Sequence, residues 1–195
     1  MRLLPCGDRA VLLDCADLDE ARRWHAALDD VATDVVMGAS TVLLRGDPSQ
    51  LRDLVERTEP ADDLAALDAP EIEVPVVYDG ADLDDVARLL GLDRDAVVAA
   101  HTGTPWTAAF GGFAPGFSYL TGGDPRLHVP RRDTPRTRVP AGAVGLAGEF
   151  SGVYPRSSPG GWQLIGRTDL PMWDSTRQPA ALLLPGTVVR FVEVS

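Results

Sequence analysis

The sequence predicts an α+β chain built in two parts, and three observations carry that assignment. Strand-like and helix-like patterns alternate through the first hundred residues. The pattern then changes: between Thr102 and Pro171, 22 of 70 residues are glycine or proline, interleaved with short apolar runs. Aromatic residues recur among them (Trp106, Phe110, Phe113, Phe117, Tyr119, Phe150, Tyr154 and Trp162), which a disordered segment would lack. At 195 residues the chain is long enough to bury a proper core, as one domain or two small ones.

Taken in order, Ala10–Cys15 is a short apolar run suited to a strand. Leu18, Ala21, Trp24, Leu28 and Val31 follow at helical spacing, with Asp17 placed to cap them. Asp34–Gly46 reads as two strands broken near Gly38–Ser40. Asp47-Pro48 then opens a helix carrying Leu51, Leu54 and Val55, with proline at its first position. Glu59–Pro70 is acidic, alanine-rich and bounded by prolines, as a linker would be, and Glu71–Tyr78 is a further strand. The order β-α-β-β-α-β is that of a small ferredoxin-like unit, which places a first domain at residues 1–80. Two short helices come next, the first capped by Asp82 and the second by Asp93, the latter ending near Gly103. They lead into residues 81–195, a second domain whose short strands and tight corners fit a β-barrel or sandwich.

Charge narrows the function classes. Residues 1–100 hold 9 arginines against 23 acids, and residues 101–195 hold 9 against 6. This acidic balance argues against broad nucleic-acid binding, and the helix pair lacks the basic face of a DNA-recognition helix. The chain has no lysine, which excludes Schiff-base chemistry and a lysine phosphate clamp from its own residues. An anion site must therefore use arginine, backbone N–H groups or hydroxyls. Cys6 and Cys15 fit no metal spacing and are expected to be small buried hydrophobes, with no metal site in the chain. No apolar run approaches a membrane span and the N-terminus lacks a signal-peptide pattern, so a cytoplasmic protein is expected.

Three stretches carry the candidate chemistry. Phe110–Leu120, "FGGFAPGFSYL", comes close to a phosphate loop and to a nucleophile elbow, but lacks the lysine of the one and the last glycine of the other. It reads as a bent barrel strand and corner, with Gly112, Pro115 and Gly116 shaping the turn, aromatics filling the core, and Ser118 and Tyr119 reaching a pocket rim. "VPRRDTPRTRVPAG" gathers Arg131, Arg132, Arg136 and Arg138; the last two project to one face if the segment is extended. Prolines stiffen this loop, which lowers the entropy lost on gripping a carboxylate or phosphate. The third stretch, Gly148–Gly166, offers Tyr154, Ser157, Ser158 and Gln163 as hydrogen-bonding groups, with Gly160 and Gly161 admitting a close approach. Among the histidines, His101 is the candidate for acid–base work, alongside Arg131 and Arg136 as candidate catalytic groups.

These motifs, with "SGVYPRSSPGGWQLIGRT" and "LLPGTVVRFV", resemble the family of 5-oxoprolinase B-subunits, also labelled allophanate hydrolase subunit 1 or sporulation kinase inhibitor. The similarity runs almost the full chain. It implies a ferredoxin-like α+β domain followed by a cyclophilin-like β-barrel. It also implies a bacterial, ATP-dependent complex that opens the lactam 5-oxoproline to L-glutamate, in which the partners are a homologous C-subunit, together with an A-subunit. Within that family, inhibition of a sensor histidine kinase and membership of an allophanate or urea amidolyase-type hydrolase are the alternative roles. One position departs: Phe150 stands where the family carries a glutamine, removing a polar side chain from a loop expected near the pocket.

Overall fold

The computed structural model describes residues 1–32, 34–62 and 70–195. The chain divides into two compact units, Met1–Leu67 and Asp68–Ser195.

In the first unit, strands β1 (Arg2–Pro5), β2 (Ala10–Asp14), β3 (Val35–Met37) and β4 (Thr41–Arg45) form an antiparallel sheet of order β1-β2-β4-β3. Helix α1 (Leu18–Leu28) begins where expected. Asp17 Oδ1 accepts from the Glu20 N–H at 2.8 Å, and Glu20 returns to the Ala16 N–H at 2.6 Å, a reciprocal cap. Helix α2 (Pro48–Glu56) starts at the Asp47-Pro48 signal, with Asp47 accepting from the Ser49 and Gln50 N–H groups. Ala21, Trp24, Leu28, Leu51 and Val55 are buried by the two helices, and Val11, Leu13, Val42 and Leu44 by the sheet. Val31 lies beyond α1 and is exposed. Most of the expected linker, residues 63–69, lies outside the described residues.

The expected closing strand of this unit needs correction. Glu71–Val76, strand β5, pairs in parallel with the last strand of the second unit, in register from Val188↔Glu71 to Glu193↔Val76. The edge beside β2 is occupied instead by β1, which the sequence pattern does not reveal. Its proline and charged neighbours hide the strand, and an edge strand tolerates both.

In the second unit, α3 (Leu83–Leu90) and α4 (Arg94–Gly103) precede strands β6 (Trp106–Gly111), β7 (Ser118–Thr121), β8 (Arg136–Val139), β9 (Ala143–Ala147), β10 (Phe150–Val153), β11 (Ser158–Gly160), β12 (Gln163–Arg167) and β13 (Val188–Glu193). A seven-stranded sheet runs β12-β9-β10-β7-β6-β13-β5. It nearly closes into a barrel, because Val77, just past β5, exchanges two 2.9 Å backbone hydrogen bonds with Arg167 at the end of β12. The short pair β11-β8 stands apart from it. Strand β9 is buried along its whole length, so both of its faces are covered. Val144 and Leu146 enter one core with Val74, Val76, Phe191 and residues of α3 and α4. Ala143 and Ala147 join Phe117, Tyr154 and Trp162 in a second, aromatic cluster.

Candidate functional site

The Phe110–Leu120 stretch is a hairpin, β6 to β7, with a loop whose backbone is unusual at two positions. Phe113 has φ +65°, a left-handed conformation rare for a large side chain, and is 59% exposed. The expectation that these aromatics fill the core therefore fails for Phe113, whose ring meets Phe117 and Tyr154 only edge-on. Gly116 has φ +82°, and a Cβ there would meet the Met172 carbonyl oxygen at 3.0 Å, so glycine is required. Ser118 does not reach a rim. It is buried, and its hydroxyl donates to the Leu183 carbonyl at 2.8 Å.

Behind this loop lies an aromatic face. Phe117 packs edge-on against Tyr154 and Trp162 with centroids 5.4 and 5.3 Å away, and Tyr119 sits 5.5 Å from Trp162. Phe150, at the position of departure, packs edge-on to Phe110 and Tyr119, so an aromatic contact fills the place of a polar side chain. Gly160 makes room for the Tyr154 phenol: a Cβ there would meet its hydroxyl at 2.4 Å. Burial raises the Tyr154 pKa, opposed by a hydrogen bond with the Trp162 backbone and by the nearby positive charge of Arg131 and Arg136.

The arginine loop is tied to the third stretch at several points. The Arg132 N–H donates to the Gly161 carbonyl at 2.8 Å, and Gln163 Nε2 donates to the Pro130 carbonyl at 3.1 Å. Arg138 Nε donates to Ser157 Oγ at 3.2 Å. Arg131, Arg132 and Gln163 line a groove of about 530 Å³ against α3, and Arg136 and Arg138 line another of about 360 Å³ with Arg167 and Leu164. Ser158 is occupied locally by the Arg156 carbonyl.

At the root of the loop is a residue that the sequence pattern marks only as a helix cap. Asp82 makes no side-chain cap bond to α3. Its carboxylate is buried; Oδ1 accepts from Arg132 Nη1 and Arg136 Nη2, each at 2.6 Å, and Oδ2 from the Leu164 N–H at 2.7 Å. The excess of arginines over acids in the β half marks the arginines as cations short of local partners, but nothing in the sequence singles out Asp82.

His101 is placed apart from these groups. It is fully buried, stacked 4.2 Å from Phe191, and shares hydrogen bonds with the Tyr78 hydroxyl at 2.7 Å and Ser151 Oγ at 2.8 Å. Burial pushes its pKa down to about 3, so the ring is neutral. Cys15 is buried and raised to about 11, mainly by desolvation, whereas Cys6 is exposed, contrary to expectation. Among the described residues, no group of three or more His, Cys, Asp or Glu could hold a metal ion, and no helix is long and apolar enough to cross a membrane.

A nearly closed barrel with an aromatic face and an acid-anchored arginine loop, joined to a small α+β unit, defines the class. The sequence matches the family described as carboxyltransferase domain, subdomain C and D, over residues 1–183. The chain is 46% identical over 162 residues to the 5-oxoprolinase B-subunit of Escherichia coli O157:H7, covering 80% of this chain and 74% of that protein. It belongs to the family of 5-oxoprolinase B-subunits. The crystal structure of TTHA0988 superposes with a TM-score of 0.81 at 35% identity, covering 96% of this chain and 40% of that one. The Kluyveromyces lactis urea carboxylase, at 18% identity and TM-score 0.76, shares the fold; 99% of this chain spans 22% of it.

Proposed function

We infer that this chain is the B component of an ATP-dependent 5-oxoprolinase, a hydrolase complex that opens 5-oxoproline to L-glutamate in the cytoplasm. The observation that carries the reading is the 46% identity, over four-fifths of the chain, to a protein named for that activity. The C and A components would complete the complex. The finer fold names follow the same reading: a ferredoxin-like first unit, with β1 standing where the β-α-β-β-α-β order would put its last strand, and a cyclophilin-like barrel. The likeness to urea carboxylase is one of fold and leaves the urea-directed role a weaker alternative.

The chemistry makes sense of the residues. A lactam is a poor electrophile. Transfer of the γ-phosphoryl group of ATP to its amide oxygen gives ADP and an activated imidate. Water then adds to the ring carbon and the C–N bond breaks as the amine takes a proton, which leaves an acyl phosphate; a second water attacks the acyl carbon, releasing phosphate and the new carboxylate. Such a sequence gathers negative charge on phosphate and carboxylate oxygens, which fixed guanidinium groups stabilise. Arg131, Arg132, Arg136 and Arg138 would supply that charge, Ser157 and Gln163 holding the loop, and Tyr119 and Phe113 an apolar wall for the ring, with Tyr154 buried in the cluster that supports them. His101, sealed in the core, would support the fold, and the phosphoryl-transfer machinery would lie with the partners. The test is glutamate release from 5-oxoproline and ATP by the co-expressed complex, with and without this chain. Release that depends on the chain supports the reading, and its absence from a folded, complete complex rejects it.

A further inference from the structure

Asp82 sits where two arginines and one strand meet. Its side chain is 2% exposed, while those of Arg132 and Arg136 are 32% and 23% exposed. Here two guanidinium groups share a single oxygen, Oδ1, and the trio keeps one net positive charge. Arg132 Nε and Arg136 Nη1 are buried and make no hydrogen bond among the described residues. Each arginine also lines its own surface groove, Arg132 with Arg88 and Arg131 in one and Arg136 with Arg138 and Arg167 in the other. Arg138, whose only side-chain partner among the described residues is the Ser157 hydroxyl, adds uncompensated charge to the second groove.

We propose that Asp82 is a positioning residue that holds Arg136 beside Arg138 in the second groove as a receptor for one small oxyanion, a carboxylate or a phosphate, while it fixes Arg132 at the first. The pairing fixes both planar forks before the ligand arrives, so little rotamer entropy is lost on binding. The backbone anchor at Leu164 ties that geometry to β12, a barrel strand. This inference rests on the functional reading only for the identity of the oxyanion.

The test uses the full chain, with inorganic phosphate and 5-oxoproline as separate probes in a thermal-shift titration. Wild type is compared with Asp82→Asn, Asp82→Glu and the control Asp84→Asn, which removes an exposed charge from the same helix turn. The expected result is a ligand-dependent rise in melting temperature for wild type and the control. It is lost in Asp82→Asn, with an apparent dissociation constant at least tenfold weaker, and partly restored in Asp82→Glu. The probe that gives the shift identifies the oxyanion. An Asp82→Asn chain that is less stable but keeps the full shift reduces Asp82 to a structural pair and overturns the proposal. So does a wild type that shifts with neither probe. In the assembled complex, Asp82→Asn is expected to raise KM for the anionic reactant at least tenfold while changing kcat less than threefold. A complex that turns over no 5-oxoproline, with the phosphate shift intact, rejects the functional assignment and leaves the receptor standing.

Discussion

His101 offers the sharpest test of the physical reasoning, through the pH dependence of stability. The ring is fully buried between Phe191 and Trp106, with both nitrogens hydrogen-bonded, and its pKa falls to about 3. In the unfolded chain an ordinary histidine titrates near 6.5. The unfolded state therefore binds a proton below that pH while the folded state does not. The neutral ring's contribution is fully present above pH 6.5 and is lost as pH falls, by about 1.4 kcal/mol per unit, down to the folded pKa. At pH 5 the loss is about 2 kcal/mol. Carboxylates titrate over part of the same range, so the measurement is a difference. His101→Gln removes the titration while keeping a polar side chain; it should cost about 2–4 kcal/mol at pH 7 through lost packing and imperfect hydrogen bonds. Urea unfolding at pH 7, 6 and 5 would follow tryptophan fluorescence in a Trp24→Phe background, since Trp106 Nε1 donates to the His101 carbonyl at 3.1 Å. The gap between the two proteins should narrow by about 2 kcal/mol from pH 7 to pH 5. A constant gap would refute the idea that this histidine is held neutral by burial.

Other outcomes follow from single contacts. Gly160→Ala should destabilise the protein by about 1–3 kcal/mol, and Tyr154→Phe in the same chain should recover part of it, because the new methyl meets the Tyr154 hydroxyl. Phe113→Asn, suited to the left-handed backbone at φ +65°, should change stability by no more than about 1 kcal/mol while lowering turnover of the complex at least fivefold. Equal turnover would remove Phe113 from the site. A thiol reagent at pH 8 should titrate one cysteine in the native chain and two in denaturant, since Cys6 is exposed and Cys15 is buried with its pKa near 11.

Local signals were legible where a single residue decides a local structure. Asp17, Asp47 and Asp93 each cap the helix they precede, and the break at Gly38–Ser40 separates β3 from β4. What the sequence could not place were pairings between distant segments. Strand β5 reads the same whether it closes the first unit or pairs with β13, more than a hundred residues on, because hydrophobic alternation fixes a strand but not its partner. Asp82 shows the same limit at the level of one side chain. Its position before an apolar helical run suits a cap, yet the arginines 50 and 54 residues away take its carboxylate. Two bonds from guanidinium groups and one from the Leu164 N–H outweigh a single cap bond, which contributes about 1 kcal/mol. Counting charges pointed to the arginines but not to the acid that anchors them.

Where the arginines of residues 101–195 find their partners argues that the surplus positive charge of that stretch is localised rather than spread over a solvated surface. Arg126 pairs with Asp124, Arg167 with Asp79 and Arg190 with Glu71, while Arg177 donates to the carbonyls of Pro179 and Ala180. These are local matches of the kind that contribute little and report no function. Among the described residues Arg131, Arg138 and Arg156 make no ion pair, and Arg132 and Arg136 divide one carboxylate between them. All five fall between positions 131 and 156, beside the aromatic face on which Tyr154 feels the charge of Arg131 and Arg136. Four of the five lie on a loop stiffened by proline and anchored through a buried acid, within a chain of net charge −11. Uncompensated charge beside low-dielectric walls focuses an attractive field on anions. On this arrangement, raising the salt concentration should weaken phosphate or 5-oxoproline binding in wild type more steeply than in Arg138→Gln, and equal slopes would show that the field comes from elsewhere.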